Sequence, residues 1–480
     1  MSGRPGRGAL LALVRRASTF PALRSKSFRL LASGQFISNV GDGMYAVALP
    51  WYVLSHHGGA ILLGAVLAAY GIPRTCLIPV GGHLADRLSP WAVMMGADIG
   101  RLALAGGLAA LAATHQPDLL TLAPIAFGLG AGEGLFLPAS YAIMPKLVDD
   151  DQLQSGNALM SAGTQLAIFA GPALGGIVVA TLTSAAGFGL DAFSFGVSAL
   201  TLWRLGAVVA ARAACRTAAG GPAHSPEVAA ERVRAGDLAD IDDPAADGHA
   251  ELTFRAFLRA EPVVILLMAI NVAANLGSAG TSEVALPLFA RQHLHAGAGG
   301  YGVLIAGFGI GALAGSLVAT RLGKVRRPAV VAGLIFLVQV PLVVCVPLAP
   351  RLAVAVAMLA LWGSLNMCAN VTTQTAFQRW APPALIGRLS GLLLVTSYGM
   401  FPVSVVLAGF VVHRFGPEVF FEIAAVSLGG TLVWALSRQS FRDFGSRADP
   451  ELAVAGDFRR AEPRDPVSPS EPEAAAPSAR

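Results

Sequence analysis

The chain has 480 residues, of which 54% are hydrophobic and only 13% charged, with a mean hydropathy of +0.62. So few charges cannot wet the surface of a soluble protein of this length, and lipid must cover much of it. The formal net charge of +5 then describes contact with anionic lipid, and nucleic acid is not expected as a partner.

Residues 1–30 come first, Arg- and Ser-containing with no acidic residue before Asp42. An organellar transit peptide can read this way, but a cytoplasmic basic arm that fixes topology is the favoured reading. The apolar run Ala9 to Val14 is too short for a secretory signal.

Apolar stretches of about 20 residues, long enough to cross a bilayer core as helix, then alternate with short polar or Gly/Pro-rich breaks. A membrane barrel would instead show segments of about 10 residues with alternating polarity. The predicted spans cover residues 31–54, 61–82, 92–113, 119–141, 157–180 and 187–208, then 262–288, 299–320, 328–348, 352–373, 389–412 and 417–437. The expected fold is an all-α membrane protein of twelve transmembrane helices in two six-helix bundles, residues 31–208 and 262–437. Between them, residues 209–261 are polar, with Asp237, Asp240, Asp242, Asp243 and Asp247 among Ala, Gly and Pro, and read as a flexible cytoplasmic linker. Residues 438–480, rich in Pro, Ala, Ser, Glu and Arg, read as a disordered cytoplasmic tail.

With both termini inside, 29 of the 34 Lys and Arg fall on the cytoplasmic side and three, Arg291, Arg351 and Arg414, outside. That imbalance obeys the positive-inside rule and places the protein as multi-pass in the cell membrane, inner or plasma. Cys76, Cys215, Cys345 and Cys368 show no CxxC spacing, so neither a disulfide framework nor a metal site is indicated.

The two halves repeat weakly. Val47-Ala48-Leu49-Pro50 recurs as Val284-Ala285-Leu286-Pro287, and Gly64, Ala68, Tyr70, Gly71 and Ile72 match Gly302, Ala306, Phe308, Gly309 and Ile310. Gly81, Arg87 and Leu88 match Gly315, Arg321 and Leu322. Such order favours two related bundles with a site at their interface near mid-membrane.

After the second span the chain reads Gly81-Gly82-His83-Leu84-Ala85-Asp86-Arg87. Glycines let helices approach closely, and Asp86 and Arg87 at a cytoplasmic mouth can form charge-assisted bonds when that side is shut. The stretch resembles the G-x-L-A-D-R signature of the major facilitator superfamily, in the loop between its second and third helices, which helps stabilise the outward-facing state. Leu88-Ser89-Pro90-Trp91 departs from the Gly and basic residues that usually follow.

In the fifth span, Gly171-Pro172-Ala173-Leu174-Gly175-Gly176 is similar to the G-P-x-x-G-G motif of the superfamily's exporters, with Ala167 where an upstream glycine often stands. A kink that serves packing alone is the alternative. Gly41-Asp42, Ala48-Leu49-Pro50-Trp51, Asn157-Ala158-Leu159, Gln378-Arg379-Trp380-Ala381-Pro382-Pro383 and Gly387-Arg388, with Pro138 and Pro145, are similar to the branch that holds enterobactin, macrolide and other secreted-metabolite exporters. The resemblance spans about residues 28–437. It implies secondary active transport by alternating access and proton-coupled export of an amphipathic small molecule: a drug, siderophore or secondary metabolite. It also assigns gating or conformational roles to Gly82, Asp86, Arg87, Gly171, Pro172, Gly175, Gly176 and Arg388. An importer, or a transporter-like membrane sensor, is the alternative function.

Charges inside the spans carry the physical argument. Asp42, Arg74, Asp98, Arg101, Glu133 and Asp191 fall within predicted helices, and Glu283 near an end. A charge at the bilayer centre costs about 2.5–3.5 kcal/mol on insertion scales, so each should face a partner or a wet cavity. Asp98 and Arg101, at i and i+3, share a face and read as an intrahelical or interhelical conformational tie near the cytoplasmic end, with a direct part in transport as the alternative. Asp42 and Glu133 have no basic residue within one turn of their own helix and are the proton-coupling candidates, unless Arg74 or Arg101 neutralises them permanently.

Gln35, Asn39, Gln165, Asn271, Asn275, Asn366, Asn370 and Gln374 are candidates to line the substrate cavity, with interhelical hydrogen bonding as the competing role. No His, Ser or carboxylate constellation suggests catalysis, and His56, His57, His293 and His295 lack partners at metal spacing. No phosphate-binding Gly-x-x-x-x-Gly-Lys-Ser/Thr loop occurs. No enzyme activity, cofactor or metal is expected, and the protein is expected to work as a monomer with a small-molecule substrate, protons and the lipid bilayer as its partners.

Overall fold

The computed structural model describes residues 21–114, 116–148, 150–218, 254, 257–259, 261–322, 325–382 and 385–445. Among them there is no strand. Twelve long helices follow in chain order: α1 (Lys26–Ser55), α2 (Gly59–Arg87), α3 (Pro90–Thr114), α4 (Leu119–Ala142), α5 (Asp150–Thr181), α6 (Ser184–Ala218), α7 (Val263–Gln292), α8 (Ala298–Leu322), α9 (Pro328–Cys345), α10 (Leu352–Trp380), α11 (Ile386–Phe415) and α12 (Pro417–Ser437), before a short α13 (Gln439–Arg442). Eleven of them are long and apolar enough to cross a membrane. The other, α1, is 30 residues long, about 45 Å. Its apolarity is lowered by Gln35, Ser38, Asn39 and Asp42, which face the interior cavity described below.

Local chemistry sets where helices begin and turn. Ser25 caps α1, its side chain accepting from the Phe28 N–H, and Asp118 caps α4 by accepting from the Thr121 N–H at 3.0 Å. Gly416, at φ +93°, makes the tight turn between α11 and α12, a conformation that glycine adopts without strain.

Packing repeats between the halves. In the first, α1 lies against α5 and α6, α2 against α4, and α3 against α4 and α6. In the second, α7 lies against α11 and α12, α8 against α10, and α9 against α10 and α12, the same pattern moved on by six helices. The bundles meet through α2 with α11 and α5 with α8, which the same operation exchanges.

Call the end where α1 begins and α12 ends the terminal face, and the opposite end the far face. One hydrophobic core spans both bundles toward the far face, joining Val47, Ala48 and Leu49 of α1 to Val284, Ala285 and Leu286 of α7, the repeated tetrapeptide. Toward the terminal face the cores separate, one built on Phe28, Met94 and Leu205, the other on Val263, Phe377 and Leu389. The bundles are therefore joined at one end and parted at the other.

Several bounds differ from the predicted ones. α1 starts at Lys26, α2 continues to Arg87, α5 starts at Asp150, and α10 continues to Trp380. Hydropathy marks only the stretch inside hydrocarbon, whereas a helix satisfies its own backbone and can continue into the interface. These extensions all lie at the terminal face. Residues 21–30, assigned to the basic arm, are instead the 3-10 turn Pro21–Arg24 and the start of α1, with Ala22 and Phe28 buried. Part of the predicted tail is folded too, since Phe441 and Phe444 are buried among Val263, Ala376 and Leu389. The predicted linker gives its first residues to α6, and Phe254, Phe257 and Leu258 pack on that same cluster. Residues 219–253, 255–256 and 260 of the linker and the tail beyond residue 445 lie outside the described residues, as do residues 1–20.

Candidate functional site

Between the parted bundles lies a cavity of about 940 Å³, whose lining extends from mid-helix to Tyr141, Met144 and Asn157 near the terminal face. Its deep end is shut by small residues. A Cβ on Gly176 (α5) would stand 2.7 Å from the Cα of Gly302 (α8), and one on Gly64 (α2) would stand 3.2 Å from the Cα of Gly409 (α11). Only glycine lets backbones cross at that distance.

Two ion pairs sit in the wall formed by the first bundle. Glycines bring α4 onto its neighbours: a Cβ on Gly134 would meet the Arg74 carbonyl at 2.5 Å, and one on Gly132 would meet the Arg101 side chain at 2.7 Å. Glu133 between them is held against Arg74, Nη2 to Oε1 at 2.8 Å, and its other oxygen accepts from the Tyr70 hydroxyl. The Arg74 guanidinium lies 4.7 Å from the ring centre of Tyr398 on α11, a cation–π contact that crosses between the bundles. Thr75 adds a second crossing, donating to the Tyr398 carbonyl at 3.1 Å.

The other pair joins α3 to α1. Arg101 Nη2 meets Asp42 Oδ1 at 2.5 Å, and its guanidinium stands 4.0 Å from the Phe195 ring centre. Arg101 is 4% exposed while Asp42, on the cavity side, is 35% exposed. Arg101 thus turns across to α1 for its ion pair, instead of back along its helix toward Asp98. Asp98 and Asp191 are buried beside it, close enough to feel its charge.

The predicted cavity residues divide. Gln35, Asn39, Gln165, Asn366 and Asn370 line the cavity, and Asn39 also donates to Thr164 across α1 and α5 at 3.4 Å. Asn271, Asn275 and Gln374 are corrections, because none of them lines it. Asn271 donates to Thr396 at 2.7 Å and to Ser397 at 3.0 Å on α11, and Asn275 bonds back to Asn271. Their shared face is spent tying α7 to α11, and Gln374 is exposed.

The predicted gating residues also divide. Gly171 and Gly175 abut α1, where a Cβ would lie 2.8 Å from the Cα atoms of Gly43 and Met44 respectively, while Gly176 faces α8. Pro172 lines the cavity. Gly82 is not the close-packed glycine of its motif: a Cβ there would lie 3.9 Å from the Pro138 Cβ, an ordinary van der Waals contact, whereas one on Gly81 would meet the Leu135 Cα at 2.8 Å. Asp86 and Arg87 end α2, rather than lying in a loop, and are exposed without an ion pair among the described residues. Arg388 is exposed near the start of α11, 6.0 Å from the Phe254 ring centre.

Sequence reasoning missed the aromatic wall of Tyr301, Phe308, Trp362 and Tyr398. Spacing cannot tell an aromatic side chain facing a cavity from one facing lipid. It also put Glu283 near a helix end. The residue lies within α7 on a π-helical turn, Thr281–Ala285, and lines the cavity. Among the described residues, no three His, Cys, Asp or Glu side chains gather as a metal site.

Comparison with known proteins agrees with this architecture. The family model of the Major Facilitator Superfamily matches residues 31–404. The chain is 27% identical over 374 residues to the enterobactin exporter EntS of Shigella boydii serotype 4 (strain Sb227), covering 76% of this chain and 80% of that protein. It is 26% identical over 181 residues to YfiS of Bacillus subtilis (strain 168), described as an uncharacterized MFS-type transporter, covering 38% of this chain and 42% of that protein. In fold it is similar to a POT family transporter crystallised with 5-aminolevulinic acid, at TM-score 0.64 and 13% identity over 88% of this chain and 97% of the other. A bacterial homologue of ferroportin in an inward-facing state gives TM-score 0.59 and 14% identity, over 88% and 99%.

Proposed function

The chain belongs to the Major Facilitator Superfamily, a family of membrane transporters and not of enzymes, and from that premise we propose that it is a proton-coupled exporter of an amphipathic small molecule, working by alternating access. The observation that carries this reading is the cavity between the bundles, shut at the far face by paired glycines and walled by two arginine–carboxylate pairs. The enterobactin exporters among its relatives support the outward direction and the substrate range of drugs, siderophores and secondary metabolites.

On this reading the terminal face is cytoplasmic, both ends of the chain are inside, and the cavity takes substrate from the cytoplasm. The protein sits in the cell membrane with the bilayer as its environment, acts as a monomer, and moves its substrate without a cofactor. Asp42 and Glu133 are the coupling carboxylates. A proton taken up by either one releases its arginine, Arg101 or Arg74, and Arg74 is in contact with Tyr398 of the other bundle. Loss of that tether is how protonation would bias the bundles toward their other arrangement. When the terminal face shuts, Gly82, Asp86, Arg87 and Arg388 come together as its latch, while Gly171, Pro172, Gly175 and Gly176 let α5 bend and slide.

Inverted vesicles under an imposed pH gradient test this. Accumulation of substrate that collapses with the gradient, and that is lost in both Asp42→Asn and Glu133→Gln, is the expected result. Undiminished gradient-driven accumulation in both variants refutes the coupling assignment. Substrate that binds but never crosses a sealed bilayer refutes transport in favour of a sensor.

A further inference from the structure

The charges in the cavity wall do not cancel. Its lining holds Asp42, Glu133 and Glu283 against Arg74 and Arg101. In the first bundle each carboxylate is matched to one guanidinium. The second bundle contributes Glu283 and no Lys, Arg or His to the lining. Glu283 forms no ion pair or side-chain hydrogen bond among the described residues. Arg74 is near enough for its charge to be felt there, but its guanidinium is engaged by Glu133 and the Tyr398 ring.

Glu283 is placed deliberately by the backbone. The π-helical turn Thr281–Ala285 interrupts α7 at this point, and π turns inside α-helices re-aim side chains and are frequent at functional sites. Tyr301 of α8 braces the turn, its hydroxyl donating to the Ser282 carbonyl at 3.1 Å. The same wall holds three further buried polar atoms without partners, one of them Thr281 Oγ1 on the turn itself. Gln339 is 3% exposed with its Oε1 unbonded, and Trp362 is 8% exposed with its Nε1 unbonded. Phe308 and Trp362 meet edge to face, ring centres 5.5 Å apart, and give the wall its apolar surface.

We propose that this wall is the recognition site for the cationic group of an amphipathic substrate, with Glu283 as its counter-ion and the Phe308–Trp362 pair as the bed for its apolar body. A lone carboxylate facing a low-dielectric cavity draws its compensating charge from what enters, and aromatic faces favour a cation over an anion. One carboxylate with aromatic neighbours suits an organic monocation, whereas an inorganic divalent ion needs several oxygen ligands. The cargo role rests on the transport reading above; the binding site does not.

The test titrates the full-length chain in nanodiscs with tetraphenylphosphonium and tetraphenylborate, ions of matched shape and opposite charge, with protein-free nanodiscs subtracted. Saturable binding of the cation at least tenfold tighter than that of the anion is expected, with Glu283→Gln losing tenfold or more and Glu283→Asp staying within threefold of the parent. Absence of cation binding, equal affinity for the two ions, or Glu283→Gln within twofold of the parent overturns the proposal. The two-ion comparison uses the unaltered chain, so it stands even where a variant fails to fold. A chain that binds the cation through Glu283 but carries it in neither direction across a sealed vesicle keeps this site and refutes transport. Gradient-driven movement of another solute by a chain blind to the cation does the reverse.

Discussion

Gly176 of α5 and Gly302 of α8 meet so closely that a Cβ on either would lie 2.7 Å from the other's Cα. The relationship has a twin in Gly64 of α2 and Gly409 of α11. Gly64 and Gly302 are the repeat positions matched in the sequence, so the weak repeat has a physical reason: each half supplies the glycine that lets the other half close on it. One turn or two deeper the pattern holds, with Phe401 lying over Gly71 and Phe169 over Gly309.

A side chain at this crossing should wedge the far face apart. Gly302→Val cannot be relieved by rotating a flexible neighbour, because the atoms it meets are backbone. The expected outcome is a shift of the resting population toward the arrangement open at the far face, with transport reduced tenfold or more. A cysteine introduced at Gln339 should then react with a membrane-impermeant maleimide added from the far side, and remain unlabelled from that side in the parent.

The two members of the Asp42–Arg101 pair should differ in what their loss costs. Arg101 carries its charge to Asp98 and Asp191 as well as Asp42, and those two are buried to within 1%. Arg101→Gln strands three acids, two of them sealed, which corresponds to about 3–5 kcal/mol for breaking a buried pair. Asp42→Asn leaves Arg101 with Asp98, Asp191 and the Phe195 ring, and Asp42 itself is 35% exposed, so about 1 kcal/mol is expected. Reversible unfolding in mixed micelles measures both; equal losses would mean that Arg101 serves Asp42 alone.

Legibility in the sequence followed the physics of each signal. Hydropathy reports contact with lipid directly, so the spans could be drawn from composition, eleven of them strongly apolar, and the weak repeat pointed to two related bundles without locating their crossings. Partnership across helices leaves no local mark. Arg101 and Asp42 are 59 positions apart, so the sequence could offer Arg74 and Arg101 as partners for Asp42 and Glu133 but could not say which arginine meets which acid. Helical spacing put Asn271 and Asn275 on one face, but spacing does not say whether that face looks into a cavity or onto α11. The π-helical turn was equally invisible, because it arises from how α7 packs and not from a distinctive residue at Thr281–Ala285.

Asn271 and Asn366 therefore make a paired comparison. Asn271→Ala removes its bonds to Thr396, Ser397 and the Leu393 carbonyl, and bonds of this kind in a membrane are worth about 0.6–2 kcal/mol each. The amide has two hydrogens to share among these acceptors, so stability should fall by about 1–4 kcal/mol while substrate affinity stays within twofold. Asn366→Ala, at the cavity wall, should do the opposite, lowering affinity with little change in unfolding. Thermal denaturation and equilibrium binding on the same two preparations separate the roles.

The motif at the end of α2 gives the last test, because the glycine that matters for packing is not the one assigned to gating. Gly81 faces Leu135 and Pro138 of α4, where a Cβ would stand 2.8 Å from each, and Leu135 presents backbone there. Gly82 looks past Pro138, where an added Cβ would lie 3.9 Å from the Pro138 Cβ, an ordinary van der Waals contact. Gly81→Ala must push α4 away from α2, disturbing the contact that sets Glu133 against Arg74, and should lower both thermal stability and transport severalfold. Gly82→Ala should fold like the parent. If Gly82 serves the latch, its alanine variant will still bind substrate from the terminal side but close that side slowly, so that exchange across the membrane falls while affinity does not. Equal behaviour of the two variants in the unfolding assay would show that neither approach is as tight as the backbone geometry requires.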